Sequence, residues 1–258
     1  MQAERFPNPA RGSTVPRWIQ LFFAIDALLV AVYAVNAWLD VPPGKYAQFF
    51  DLDEEANLPA WYSSMQLGGA AGLIAFFAWR SGATLRRGAR LLWALAALLV
   101  LLSLDESAQI HEWIGDRLSR LFADAHPDRF LERTRSWTSL VTLPLVVFLV
   151  WLFRGLKDSL SAVPRATWLL AAGFTLLLLS AEGLELLSDL TGLKAHGYTM
   201  EVCAEELGEM LAATVLLWGG WVMAETALSP VETPSRSASA QAAPHSSAGG
   251  NRPSSRRP

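Results

Sequence analysis

Three apolar runs of this chain pass directly into clusters of acidic residues. A helix that crosses the roughly 30 Å of hydrocarbon in a bilayer needs about 20 residues at about 1.5 Å each. Each of these runs is shorter than that, so a spanning helix has to include its acidic end. The pattern therefore predicts membrane helices with one acidic end each. The acidic cluster follows the runs 91–104 and 168–181 and precedes the run 211–224.

The remaining apolar segments complete an all-α, polytopic integral membrane helix bundle. Hydrophobic residues make up 52% of the 258 residues, and the charged residues lie between the apolar segments. The pattern favours this class over a soluble protein with buried core helices, which is the alternative for runs of this length. Six transmembrane helices are predicted at about 18–39, 60–79, 91–110, 137–153, 168–187 and 201–224.

Basic residues indicate the orientation. Lys and Arg are concentrated before the first predicted span, after the second, after the fourth and in the C-terminal tail. The positive-inside rule then predicts that both termini are cytoplasmic. Residues 1–17 form a short cytoplasmic lead, 18–226 the membrane domain, and 227–258 a tail whose Ser, Pro, Ala and Gly content predicts disorder.

Composition also excludes some classes of function. The net charge of −3 and the few basic residues of the tail do not form the basic surface that binding to nucleic acid requires. The predicted partner is the lipid bilayer, because of the apolar spans. The single cysteine, Cys203, excludes an internal disulfide and a zinc or redox site built on paired cysteines.

Acidic residues line one face of each of the three ends if the helices continue through them. Asp105, Gln109, Glu112 and Asp116 share a face, as do Glu182, Glu185 and Asp189, and as do Glu201, Glu205 and Glu209. The predicted topology brings the three faces together on the extracytoplasmic side. Carboxylates with one or two imidazoles are the ligands of iron, manganese and zinc. Predicted metal ligands are Asp105, Glu112, Glu182, Glu185, Glu201, Glu205, Glu209 and His196, and predicted catalytic residues are Glu106, His111 and Glu206.

Two further interpretations remain open at this stage. The carboxylates could be neutralised by Arg117, Arg120 and Arg133 of the outer loop, which predicts a non-catalytic protein that docks a partner. They could also belong to a pathway for protons or cations. Asp26, inside the first span, is either a functional intramembrane acid or a neutral or hydrogen-bonded interior group.

Three motifs together resemble those of a group of bacterial multi-pass membrane proteins with no assigned activity. The motifs are 58–64 (LPAWYSS), 103–112 (SLDESAQIHE) and 205–210 (EELGEM). The resemblance covers about residues 18–226 and implies a bacterial inner-membrane location. It implies no reaction, substrate or cofactor.

Overall fold

The structure of the protein, a computed structural model, describes residues 14–42, 44–52, 57–82, 86–110, 113–114, 117, 136–161, 163–183 and 196–229. Its regular structure is helical, with no strand in the described residues, which confirms the all-α prediction. In these ranges, a π-helical turn at Leu179–Gly183 follows the sixth of seven helices. The helices are α1 Arg17–Trp38, α2 Lys45–Phe49, α3 Leu58–Ser81, α4 Arg86–Ala108, α5 Ser136–Leu160, α6 Pro164–Leu178 and α7 His196–Leu228.

Four of these helices, α1, α4, α6 with its π-helical turn, and α7, are long and apolar enough to cross a membrane. They correspond to the first, third, fifth and sixth predicted spans. Their length and composition are those of a membrane protein. The second and fourth predicted spans coincide with α3 and α5, whose 24 and 25 residues also suffice in length. It stays a prediction that α3 and α5 cross the bilayer. The cytoplasmic location of both termini stays a prediction as well.

Helix α7 is the centre of the bundle. It packs against α1, α3 and α6, and 61% of its apolar stretch is buried, compared with 17% in α1 and 28% in α6. Close packing is possible because small residues face the neighbouring helices. A Cβ on Gly69 of α3 would lie 3.2 Å from Leu217, and one on Gly219 would lie 3.0 Å from Leu170 of α6.

Contacts along α7 define the direction of each neighbour. Gln66 of α3 contacts Thr214, and Gly220 lies beside Ala70 and Leu73, so α3 and α7 are parallel. Helix α1 is antiparallel to α7, because the Asp26 carboxylate meets Thr214 while the Trp18 and Trp221 rings lie 5.0 Å apart at the other end. Helix α6 is antiparallel as well, since its N-terminal half packs near Gly219 and its end packs near Gly208.

The segment between α1 and α3 closes one end of the bundle. Leu52 is buried with Leu29 of α1 and with Val202 and Met210 of α7. Asn57 then caps α3, because its Oδ1 accepts a hydrogen bond from the backbone N–H of Ala60 at 3.0 Å. The segment thus fixes where α3 begins and covers the first turns of α7.

Two of the acidic ends are not continuous α-helix. Helix α4 ends at Ala108, and Gln109 has a φ of 51°, the left-handed conformation. In α6, the wider π-helical turn begins at Leu179. A constant rotation of 100° per residue is interrupted at Gln109 and in the π-helical turn. The other members of these two predicted acidic faces, Glu112, Asp116, Glu185 and Asp189, lie outside the described residues, so the faces stay predictions.

Helix α7 differs from the sequence prediction in length. Its 33 residues make it on the order of 50 Å long, more than the hydrocarbon thickness. The segment from Glu209 to Leu228 alone is about 20 residues, enough for one crossing. The carboxylates before Glu209 therefore have no need to enter the hydrocarbon, and the argument from short helices does not apply to α7.

Candidate functional site

The acidic end of the bundle is the end at which α3 and α7 begin and α4 and α6 finish. Three serines hold α3 and α4 together there. Ser64 Oγ donates to the Ser103 carbonyl at 2.7 Å, Ser103 Oγ donates to the Ser64 carbonyl at 2.8 Å, and Ser107 Oγ donates to Ser64 Oγ at 2.7 Å. This ladder fixes the position of the α4 turn that carries Asp105 and Glu106.

A second close contact fixes α7 against the π-helical turn. Gly208 lies against Ser180, and a Cβ added to Gly208 would overlap Ser180 Oγ and come within 2.9 Å of its Cβ. Ser180 Oγ itself donates to the Leu176 carbonyl at 2.6 Å. The π-helical turn therefore lies at the level of Gly208 and Glu209 on α7.

Helix periodicity shows which neighbour each α7 carboxylate faces. Leu216, two turns after Glu209, packs on Gly173 of α6, so Glu209 is on the α6 side. Glu206 is three turns before Leu217, which packs on Gly69 of α3, and so lies on the α3 side. Glu106 also lies towards α3, because it follows the buried Leu99 by two turns and Ser103 by one.

The predicted site residues fall into three groups. Six are partly buried in the described structure: Asp105, Glu106, Glu201, Glu205, Glu206 and Glu209. Glu182 and His196 lie at helical positions whose side chains are not described, and His111, Glu112 and Glu185 lie outside the described residues. Within the described residues, no three His, Cys, Asp or Glu side chains are grouped as metal ligands. Because five of the predicted residues contribute no described side chain, the metal site stays a prediction.

The exposed surface near the end of α4 contains Arg117, one of the arginines of the predicted neutralising network. Its guanidinium lies 5.4 Å from the centre of the Trp113 ring, and both side chains are exposed. Arg120 and Arg133 lie outside the described residues. A shallow pocket lined by Asn57, Ala60, Trp61 and Ser107 lies where α3 meets α4.

A second polar group lies in the interior of the bundle, where three helices meet. Asp26 of α1 and Thr214 of α7 are 0% exposed, and Gln66 of α3 is 1% exposed. Thr214 Oγ1 donates to Asp26 Oδ2 at 2.9 Å, and Gln66 Nε2 donates to Thr214 Oγ1 at 2.7 Å and lies 3.5 Å from Asp26 Oδ1. We call these three residues the interior triad.

The sequence pattern singles out Asp26 but not Gln66 or Thr214, the other two members of the triad. The hydrogen-bonded interpretation of Asp26 is confirmed by its bond to Thr214. Gln66 and Thr214 are uncharged, and neither stands next to an acidic residue in the sequence. The signal that could have found them is an amide and a hydroxyl within otherwise apolar or small-residue helices, at positions where a partner has to be supplied by another helix.

Comparison with known protein families identifies one family, whose function is unknown. Residues 21–224 match the family model described as "Domain of unknown function (DUF8692)". Searches of curated proteins and of solved structures found no match. The match covers the helices of the acidic end and of the interior triad.

Proposed function

We propose, for a chain that belongs to the DUF8692 family of unknown function, that it is a six-helix membrane protein with a divalent cation bound at its acidic end. The cation is iron, manganese or zinc, and the protein is a metal-dependent enzyme acting on a substrate in the lipid phase. In this proposal the protein lies in a bacterial inner membrane with the acidic end extracytoplasmic.

The observation that carries the proposal is the convergence of three acidic helix ends. The Ser64–Ser103 contact brings the end of α4 to the start of α3, and the Ser180–Gly208 contact brings the end of α6 to the start of α7. Since α3 and α7 are parallel, all four termini lie at one end of the bundle. A cation bound there would attract carboxylates from all of these helix ends.

The residue types fit this chemistry. Carboxylate oxygens and imidazole nitrogens are ligands of all three metals. Glu205 and Glu209 would be ligands from α7 and Asp105 from α4, with Glu112, Glu182, Glu185, Glu201 and His196 as the other predicted ligands. A bound cation supplies a Lewis acid that lowers the pKa of a coordinated water. Glu106 and Glu206, on the sides of α4 and α7 that face α3, and His111 would transfer protons.

Metal analysis of the detergent-purified protein tests the proposal. We expect about one equivalent of iron, manganese or zinc, and a loss of at least tenfold in metal affinity when Glu205 and Glu209 are both changed to Gln. Glu225→Gln is the matched control, because Glu225 lies on the same helix at the opposite end and is exposed. Substoichiometric metal that is the same in both variants would reject the proposal.

Docking of a partner protein is a second candidate, favoured by the exposed pair of Arg117 and Trp113 on the outer surface. Arginine and tryptophan are enriched at protein interfaces. In this case the arginines hold the carboxylates, so Arg117→Glu lowers the thermal stability while a chelator has no effect. A fall in stability on chelation with Arg117→Glu unchanged would favour the metal.

The orientation can be tested with the single cysteine of the chain. Cys203 is buried, so a Cys203→Ser protein is a background for new cysteines. We expect Thr14→Cys, at an exposed position before α1, to react with a membrane-impermeant thiol reagent only after the cells are opened. We expect Lys45→Cys, in the segment before α3, to react in intact cells once the outer membrane is permeabilised. The reverse pattern would contradict the proposed topology.

A further inference from the structure

The interior triad lies deep in the membrane part of the bundle. Trp18 and Trp221 mark the level of the opposite end, where tryptophan rings gather at membrane boundaries. Asp26 is eight residues further along α1, which is about 12 Å of helix. That distance puts its carboxyl group near the middle of a hydrocarbon layer of about 30 Å.

The partners of Asp26 are neutral. Thr214 supplies a hydroxyl and Gln66 an amide, and Tyr62 of α3 is the titratable side chain that faces Asp26 from the helices packed against it. The Tyr62 hydroxyl also donates to the Phe22 carbonyl at 3.0 Å, one turn before Asp26. An ionised carboxylate at this depth is very unfavourable without a positive charge beside it, whereas a protonated one is not.

The side-chain carbonyl of Gln66 is a hydrogen-bond acceptor that the triad does not use. Within the described residues, Gln66 Oε1 is buried and has no hydrogen-bond partner. Asp26 Oδ2 already accepts from Thr214, while the contact of Oδ1 with the Gln66 amide is long, at 3.5 Å. If the amide of Gln66 turns over, Oε1 takes the place of Nε2 beside Thr214 Oγ1. The Thr214 hydroxyl can then donate to Oε1 and accept a hydrogen bond from a proton on Asp26 Oδ2.

We propose that Asp26, Gln66 and Thr214 form an intramembrane proton-binding site, in which a proton on Asp26 Oδ2 is donated to Thr214 Oγ1 while the Thr214 hydroxyl donates to the Gln66 side-chain carbonyl. The polar atoms touch one another at 2.7 and 2.9 Å, which leaves no space for a metal ion between them, whereas a proton needs none. Loss of the proton would leave a charge in the apolar interior. Release therefore requires α1 to move away from α3 and α7 so that water reaches Asp26.

Infrared difference spectroscopy of the protein in phosphatidylcholine vesicles tests this site. We expect a carbonyl stretching band of a protonated carboxylic acid at neutral pH that shifts on exchange into deuterated water. The band should be absent in Asp26→Asn, whose amide has the same shape and keeps the fold. It should change frequency in Gln66→Leu, which removes the carbonyl that accepts from the Thr214 hydroxyl, and stay unchanged in Asp158→Asn, which alters an exposed acid.

Two results would overturn the proposal. Absence from the wild-type spectrum of any protonated-carboxyl band that Asp26→Asn lacks, at every pH at which the protein is folded, would mean that no proton is bound there. A band that appears only when Na⁺ is withdrawn at constant pH would mean that Na⁺, and not a proton, is the ligand. The deuterium shift and the Na⁺ titration use the wild-type protein, so neither depends on the folding of a variant. The test is independent of the metal at the acidic end.

Discussion

Gly208 of α7 and Ser180 of the π-helical turn are in direct contact, with no room for a side chain on the glycine. The contact joins α7, next to Glu209, to the π-helical turn that follows α6. It also coincides with the point at which α6 departs from α-helical geometry, because Ser180 is the second residue of the turn. Packing at one glycine therefore determines how these two acidic segments approach each other.

We expect Gly208→Ala to lower the free energy of unfolding by about 1–3 kcal/mol, the usual cost of overpacking. The added methyl would overlap the Ser180 side chain and force α6 and α7 apart. Thermal unfolding in detergent measures the change. Gly72→Ala is the control, since a Cβ on Gly72 meets nothing within 4 Å. Equal losses in both variants would show that the Gly208 contact is not specific.

Replacing Gln109 by Gly should stabilise the protein. Gln109 has a φ of 51°, and a left-handed conformation costs a residue with a side chain roughly 1–2 kcal/mol, whereas glycine adopts it freely. We expect a gain of about 1 kcal/mol in chemical unfolding. The neighbouring substitution Ala108→Gly, at the last residue of α4, should instead cost up to about 1 kcal/mol. A loss in both would mean that Gln109 is right-handed in solution.

Thr214→Val tests the contribution of the interior triad to stability. The valine has nearly the same shape but removes the donor to Asp26 and the acceptor for Gln66, and we expect a loss of about 1–2 kcal/mol. Thr226→Val is a matched control on the same helix. Thr226 is equally buried, but its hydroxyl donates only to the Val222 carbonyl one turn before it. An equal effect at the two sites would argue against a stabilising triad.

The serine ladder between α3 and α4 provides another test. Ser103→Ala removes a donor to the Ser64 carbonyl and a contact with Ser64 Oγ, and interhelical hydrogen bonds in membranes average about 0.6 kcal/mol. We expect a loss of about 1 kcal/mol in thermal unfolding. Ser161→Ala, which removes only a local bond to the Asp158 carbonyl at an exposed position, should change stability little. No difference between the two would contradict the ladder.

Hydrophobic patterning was sufficient for the helical class and for most helix positions. Apolar runs between charged segments located α1, α4, α6 and α7 because burial in a bilayer demands continuous apolar sequence. The helix ends were harder to predict. The left-handed conformation of Gln109 and the π-helical turn at Leu179 are not indicated by the residue types of the neighbouring sequence.

The interior triad shows the other limit of prediction. Asp26 is conspicuous as a charge in an apolar helix, but Gln66 and Thr214 are 40 and 188 residues away along the chain. Only the antiparallel packing of α1 on α7, beside a parallel α3, makes them neighbours. Which polar residues share a site was therefore settled by tertiary packing, which a single sequence does not specify.

The central position of α7 has a consequence for biosynthesis. This helix is the last to leave the ribosome, yet α1 and α6 pack mainly against it. Helices α3 and α4 can pair as soon as both are made. The hydrogen bond between Asp26 and Thr214, in contrast, can form only after α7 has been inserted. The complete bundle can therefore form only after α7 has been made, and we expect a chain that stops before His196 to be a substrate for membrane quality control.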